Sequence, residues 1–312
     1  MTGRHARRSV RDFTVHSLTN EAVSLAIVPE LGGRLVSLRD RASGREWLDG
    51  WSPARSRRIW HPTDSADFAT GPGAGIDECL PTVLPCRVGG RDLPDHGELW
   101  NRPPVFDPSA AANGEFLCEW ALRSLPLGFQ RRITLEGQRV RFDYRIENLA
   151  DRPTPFLWAW HPLFTWRKGD RIRFTPAVKS CLSPGGGALP WPVAENGADL
   201  SRALFPKGAS PAAKVFVGPL AKAAAEIRAK DGARISIKWP AGILPYAGIW
   251  ITRGFWKGLH HWAIEPTNAP VDRLSDIAAQ DAPSPTLLMP REVRTWSLAV
   301  DVRSTPRHDI KT

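Results

Sequence analysis

Apolar and polar residues alternate one by one along much of this chain, and spacing of three and four residues is scarce, so the pattern predicts strands rather than helices. Val140, Phe142, Tyr144 and Ile146 alternate with Arg139, Arg141, Asp143, Arg145 and Glu147, as in a strand with one buried face. Its expected partner is Phe129 to Leu135, joined through Glu136-Gly137-Gln138. A second hairpin is expected from Ile227 to Trp239, with Asp231-Gly232 as a two-residue turn, because glycine accepts the positive φ such turns demand. Val23 to Val28 and Arg34 to Leu38 bracket the turn Pro29-Glu30-Leu31-Gly32-Gly33. Trp296, Leu298, Val300 and Val302 form a late strand that closes the sheet. One short helix is expected, around Asp272 to Gln280. Stretches 49–76, 101–113 and 181–212 are rich in proline and glycine yet retain Trp, Leu and Phe, and read as ordered loops over the sheets. The expectation is an all-β fold, a large antiparallel β-sandwich. Residues 1–12 would be a flexible basic arm, 13–304 a single domain and 305–312 a tail.

Composition changes this picture little. The chain has 312 residues, long enough for a full core, and its 14 tryptophans suit either a heavy core or sugar-stacking surfaces. A formal net charge of +10 raises the question of nucleic acid. The basic residues cluster only at Arg4 to Arg11 and Arg55 to Arg58, and elsewhere alternate with apolar residues on the wet faces of strands, which argues against it. The four cysteines, Cys79, Cys86, Cys118 and Cys181, have no Cys-x-x-Cys spacing and read as free thiols. Neither His-x-His nor His-Glu-x-x-His occurs, so no metal site is expected. No run of about 18 apolar residues or signal-like segment is present, so a soluble, cytoplasmic protein without membrane contact is expected.

The candidate chemistry lies in three separated stretches: Pro94-Asp95-His96-Gly97-Glu98-Leu99-Trp100, Phe156-Leu157-Trp158-Ala159-Trp160-His161-Pro162 and Trp262-Ala263-Ile264-Glu265-Pro266-Thr267-Asn268. Alternation puts Phe156, Trp158 and Trp160 on one face and His161 on the other, beside small and apolar neighbours. The same reasoning separates Glu265 from Trp262 and Ile264, and aligns it with His261. A carboxylate in such surroundings must be paired or shifted in pKa. An ion pair with an arginine and a general base are both open for Glu265, as are a core histidine and a reactive one for His161. Gly97 would let the backbone beside His96 approach a ligand closely. Asp77 and Glu78 are adjacent on an extended segment, so at most one of them faces a common site.

These residues, in this order, together with Pro29-Glu30-Leu31-Gly32-Gly33-Arg34 and the closing Met289-Pro290-Arg291-Glu292-Val293-Arg294-Thr295-Trp296, resemble the aldose 1-epimerase, or galactose-mutarotase-like, superfamily. The likeness runs from about Val23 to Val302. It implies a cleft that binds a pyranose, Glu265 as base, His161 as acid and His96 as a second sugar-facing histidine, with no cofactor. It also implies a sugar-binding aspartate, for which Asp77 is the candidate. Typical members flank these histidines with asparagine, whereas Asp95 and Trp160 stand here, which points to a divergent branch. Arg34 is read as a ligand of substrate oxygens or as a partner of Glu30 or Glu46, the structural role being favoured. Trp100 and Trp250 are candidate stacking platforms. The implied activity is interconversion of sugar anomers. A non-catalytic carbohydrate-binding protein, a sugar 6-phosphate mutarotase and a lyase on the same fold are the alternatives. A small-molecule sugar is the expected partner, and the oligomeric state is open.

Overall fold

The structure, a computed structural model, describes residues 3–10, 13–48, 67–71, 73–256, 258–277 and 284–304. Two large sheets dominate, and every ladder between named strands is antiparallel. Among the described residues the larger sheet has 12 strands, and its centre runs Arg34–Asp40, Ile76–Cys79, Ala159–Pro162, His260–Thr267, Tyr246–Arg253 and Ala212–Val217. The second has eight strands, with Val293–Arg303 between Arg234–Trp239 and Arg139–Asn148. The late strand therefore lies inside its sheet and joins its two halves.

The alternation in Arg139–Asn148 is realised position by position: Val140, Phe142, Tyr144 and Ile146 are buried while Arg139 and Arg141 are exposed. These side chains meet the larger sheet across the core. Phe142 packs edge-on to Trp160 at 5.5 Å and Tyr144 edge-on to Trp158 at 5.0 Å between ring centroids. The main apolar cluster draws on both sheets, so burial on one face of each is what holds them together. A smaller cluster, with Val28, Val36, Phe68 and Trp100, lies on the opposite face of the larger sheet, since Val36 alternates with Leu35 of the main core.

Several local expectations are corrected. Arg4–Val10 is not a frayed arm but an edge strand paired residue by residue with Phe13–Thr19. Its basic residues satisfy an edge strand's need for charge, which composition alone cannot distinguish from a tail. The hairpin at Asp231-Gly232 closes with three residues, because Ala229 and Ala233 still pair and Gly232 N–H donates back to the Ala229 carbonyl at 3.0 Å. The helix expected around Asp272 to Gln280 is one 3-10 turn over Leu274–Asp276, and 278–280 fall outside the described residues. A short α-helix instead spans Pro108–Ala112, capped by the Asp107 carboxylate and started by proline at its first position. The tail 305–312 and all of 49–66, with the Arg55 to Arg58 cluster, also lie outside the described residues. Among the described residues no helix is long and apolar enough to cross a membrane.

Candidate functional site

On the outer face of the larger sheet, away from the second sheet, lies a cavity of about 270 Å³, at the small end of ligand pockets. His161, His96, Glu265, Lys214, Trp250 and Phe68 line it. Strand Ala159–Pro162 sends Trp160 into the core, against Phe142 and Phe164, and His161 the other way. The sequence pattern implies this division, since neighbouring residues on a strand point oppositely.

His161 is buried, and its Nδ1 lies 2.9 Å from Oδ1 of Asp77, the residue directly opposite on strand Ile76–Cys79. The other oxygen of Asp77 accepts from the guanidinium of Arg34, which also donates to the Ala74 carbonyl at 2.6 Å. Burial alone would raise the Asp77 pKa, but Arg34 and the bond from His161 outweigh it and hold the carboxyl down at about 2. An ionised carboxylate can only accept, so the proton between the two sits on Nδ1 of His161. Nε2 is then the ring nitrogen available to the cavity.

His96 stands beside it, the two rings edge-on at 5.2 Å. It stacks on Phe68 at 3.7 Å and its Nδ1 meets Asp95 Oδ1 at 2.8 Å. Asp95 also accepts from the Phe68 backbone N–H at 3.1 Å, tying the segment carrying Phe68 to the histidine loop. Burial lowers the His96 pKa, and Asp95 only partly offsets this, while His161 adds to the lowering. His96 is thus held neutral, with Nε2 an acceptor. The residue has φ of 57°, in the left-handed region.

Glu265 is buried on strand His260–Thr267, and its Oε2 lies 3.0 Å from the ammonium of Lys214. Lys214 is in turn 2.7 Å from Asp272 Oδ1. Burial would lower the lysine's pKa, but Asp272 and Glu265 together hold it above its ordinary value. Asp272 is anchored by its own carbonyl, which accepts from the N–H groups of Val83 at 3.0 Å and Leu84 at 2.6 Å.

Of the residues singled out in the sequence, His161, His96, Glu265 and Trp250 face this cavity together. Arg34 and Asp77 do not line it; they lie behind His161, fully buried, and Arg34 pairs with Asp77 rather than with Glu30 or Glu46. Trp100 is also not a platform. It is wholly buried in the smaller cluster, edge-on to Phe68 at 5.1 Å, with its indole N–H donated to the Asp95 carbonyl. Gly97 brings the backbone close to Leu80 rather than to a ligand: a side chain there would collide with the Leu80 carbonyl. His261, which alternation aligned with Glu265, is buried, 4.8 Å from Trp250 between ring centroids, while its neighbour His260 is exposed. The sequence reading missed Lys214, Asp272 and Phe68. Lys214 had a signal, a lone lysine in the otherwise apolar Ala212–Val217, where a wet face would carry more than one polar residue. Among the described residues no group of three or more His, Cys, Asp or Glu could hold a metal ion.

No family model matches the chain, and no curated protein matches it. Solved structures do. A galactose mutarotase-like protein from Clostridium acetobutylicum superposes with a TM-score of 0.69 at 13% identity, over 97% of this chain and 99% of that one. An Escherichia coli K12 protein provisionally named aldose 1-epimerase gives 0.69 at 15% identity, over 94% of this chain and 100% of that one. A galactose mutarotase-like protein from Lactobacillus casei gives 0.64 at 16% identity, over 93% and 100%. The all-β fold of this chain is therefore the galactose mutarotase-like fold, in a sequence far diverged from these neighbours.

Proposed function

We propose that this chain, on its galactose mutarotase-like fold, is an aldose 1-epimerase-like isomerase that interconverts the anomers of a sugar by acid–base ring opening and closure. The observation that carries the reading is the convergence of His161, His96 and Glu265, from three separated segments, on one small cavity. Glu265 takes the proton of the anomeric hydroxyl as His161 Nε2–H gives one to the ring oxygen. The bond from C1 to the ring oxygen breaks and an open-chain aldehyde forms. Rotation about C1–C2 presents the other face of the carbonyl, and the transfers run in reverse to close the ring. The protons balance over the cycle, and no cofactor takes part. While His161 carries protons on both nitrogens, ionised Asp77 supplies the counter-charge. Neutral His96 accepts from a sugar hydroxyl, and the face of Trp250 offers a platform for the C–H side of a pyranose.

Anomer exchange measured by NMR, over a panel of free, phosphorylated and acidic aldoses, tests this against Glu265→Gln. Exchange faster than buffer in the parent and lost in the variant is the expected result. Binding of sugars without any acceleration would replace the enzyme by a non-catalytic carbohydrate-binding protein.

A further inference from the structure

Lys214 is a cation of the cavity that this mechanism leaves unused. Its place is made by a glycine. In the register of the larger sheet Phe216 faces Gly248 and Gly248 faces Glu265, a row across three strands with nothing at its centre. Gly248 is not at positive φ, so its backbone does not require glycine. Its side is what matters: a Cβ there would sit 2.8 Å from Glu265 Oε2. Over that gap the Lys214 ammonium reaches Oε2 at 3.0 Å, with the Phe216 ring 5.3 Å away and Asp272 Oδ1 at 2.7 Å.

We infer that Lys214 is an internal counter-ion: it positions Glu265 as the base, Asp272 takes up its remaining charge, and the site is thereby fitted to neutral rather than anionic sugars. The inference rests on the function proposed above. A lysine meant for a substrate phosphate or carboxylate would present its charge to the cavity, whereas this one is shared between two carboxylates of the protein. The charged and titratable groups around the pair come from several neighbouring elements, the strand Tyr246–Arg253 between them facing it only with Gly248 and Trp250. Asp77 and Cys79 come from strand Ile76–Cys79, His161 from Ala159–Pro162, Asp95 and His96 from the loop before Gly97, and Asp272 from the segment after Thr267. Among the described residues that line the cavity, Asp95, Glu265 and Asp272 outnumber Lys214, and the charge His161 carries while doubly protonated is met by Asp77 behind it. An anionic sugar would meet like charge there, a cost that grows in a partly desolvated site.

The test compares the parent chain with Lys214→Met, Lys214→Arg and Asp272→Asn. One readout is the ¹³C titration of the Glu265 carboxyl, assigned through Glu265→Gln, without sugar. The other is the pH profile of anomer exchange for glucose and glucose 6-phosphate. Loss of the ammonium in Lys214→Met should move the carboxyl titration and the acid limb of the rate to higher pH, a fall of about tenfold at pH 6 that shrinks by pH 8.5. Lys214→Arg should restore most of the parent profile. Asp272→Asn should move the titration to lower pH and raise exchange of glucose 6-phosphate relative to glucose. A uniform loss at every pH, with the carboxyl titration unmoved in both Lys214→Met and Asp272→Asn, would overturn the inference. So would a parent that prefers glucose 6-phosphate. If the carboxyl shifts occur but the parent accelerates no sugar, the counter-ion stands and the proposed isomerase falls.

Discussion

Asp77 and Glu78 are neighbours on one four-residue strand, and each is wholly buried against an arginine. Asp77 points to the outer face, between Arg34 and His161 at the back of the cavity. Glu78 points between the sheets, where Arg131 donates to it at 2.7 Å and the Tyr144 hydroxyl at 3.1 Å. Arg131 also donates to the Gly33 carbonyl, so one guanidinium ties the second sheet to the turn between Val23–Val28 and Arg34–Asp40 of the larger one. Burial and ion pairing are alike at the two positions. What differs is the third partner. On one side it is an imidazole with a nitrogen left over for the cavity. On the other it is a phenol whose pKa burial, with Glu78 adding to it, drives well above the ordinary value, so it cannot give up its proton. A buried carboxylate–arginine pair is thus weak grounds for function by itself, and the element beyond the pair decides.

The largest effects should separate the two sides cleanly. Glu265→Gln or His161→Ala should lower anomer exchange by about 10²–10⁴-fold, because each removes one proton-transfer group, with only a small loss of unfolding free energy, because Lys214 keeps Asp272 and Asp77 keeps Arg34 as partners. Arg131→Met should do the reverse. It leaves Glu78 charged and buried without its partner, which costs about 3–5 kcal/mol in denaturant unfolding, while the rate per folded molecule holds. Equal losses of rate and stability in all three variants would erase the distinction.

Asp77→Asn probes the boundary between the sides, with a smaller loss of rate, about 10- to 100-fold. An amide cannot supply a counter-charge to His161, and with one oxygen in place of two it cannot accept from both His161 and Arg34. Stability carries a separate signature. The folded value of about 2 lies below the ordinary carboxyl value, so the parent gains stability from Asp77 above about pH 4 and loses it as pH falls toward 2. Urea midpoints measured between pH 4 and 2 should fall less steeply in the variant than in the parent. Parallel slopes would mean that Asp77 is not the group titrating there.

How far the sequence revealed this arrangement follows from what alternation encodes. Period two states which residues share a face, so it sends Trp160 and His161 to opposite sides and Glu265 away from Trp262, as the structure has them. It also states that only one of Asp77 and Glu78 can face the site, without saying which. It does not state what lies over a face. Trp100 therefore read as a platform although the smaller cluster covers it, and Gly97 read as a ligand approach although Leu80 fills the space. Pairings between distant strands are the least legible. Nothing near Ala212–Val217 announces Glu265, and only the register through Gly248 brings Lys214 to it. The histidine and the acid were readable because their chemistry is local. Their partners were not, because partnership here is a property of the sheet.

The smallest effect should come from the core side's own third partner. Tyr144→Phe removes one hydroxyl, which donates to charged Glu78 at 3.1 Å, and keeps the ring that packs on Trp158 and Trp296. A hydrogen bond to a charged group contributes about 1.5–3 kcal/mol, and Arg131 remains to satisfy Glu78, so the lower end is expected in denaturant unfolding. The anomer-exchange rate and its pH profile should superimpose on those of the parent, since the lost proton never titrates in the working range and lies on the far face of the strand from His161. A shifted pH profile in this variant would mean that strand Ile76–Cys79 passes charge effects from one face to the other. Asp77 and Glu78 would then have to be treated as one coupled pair rather than as two neighbours with separate work.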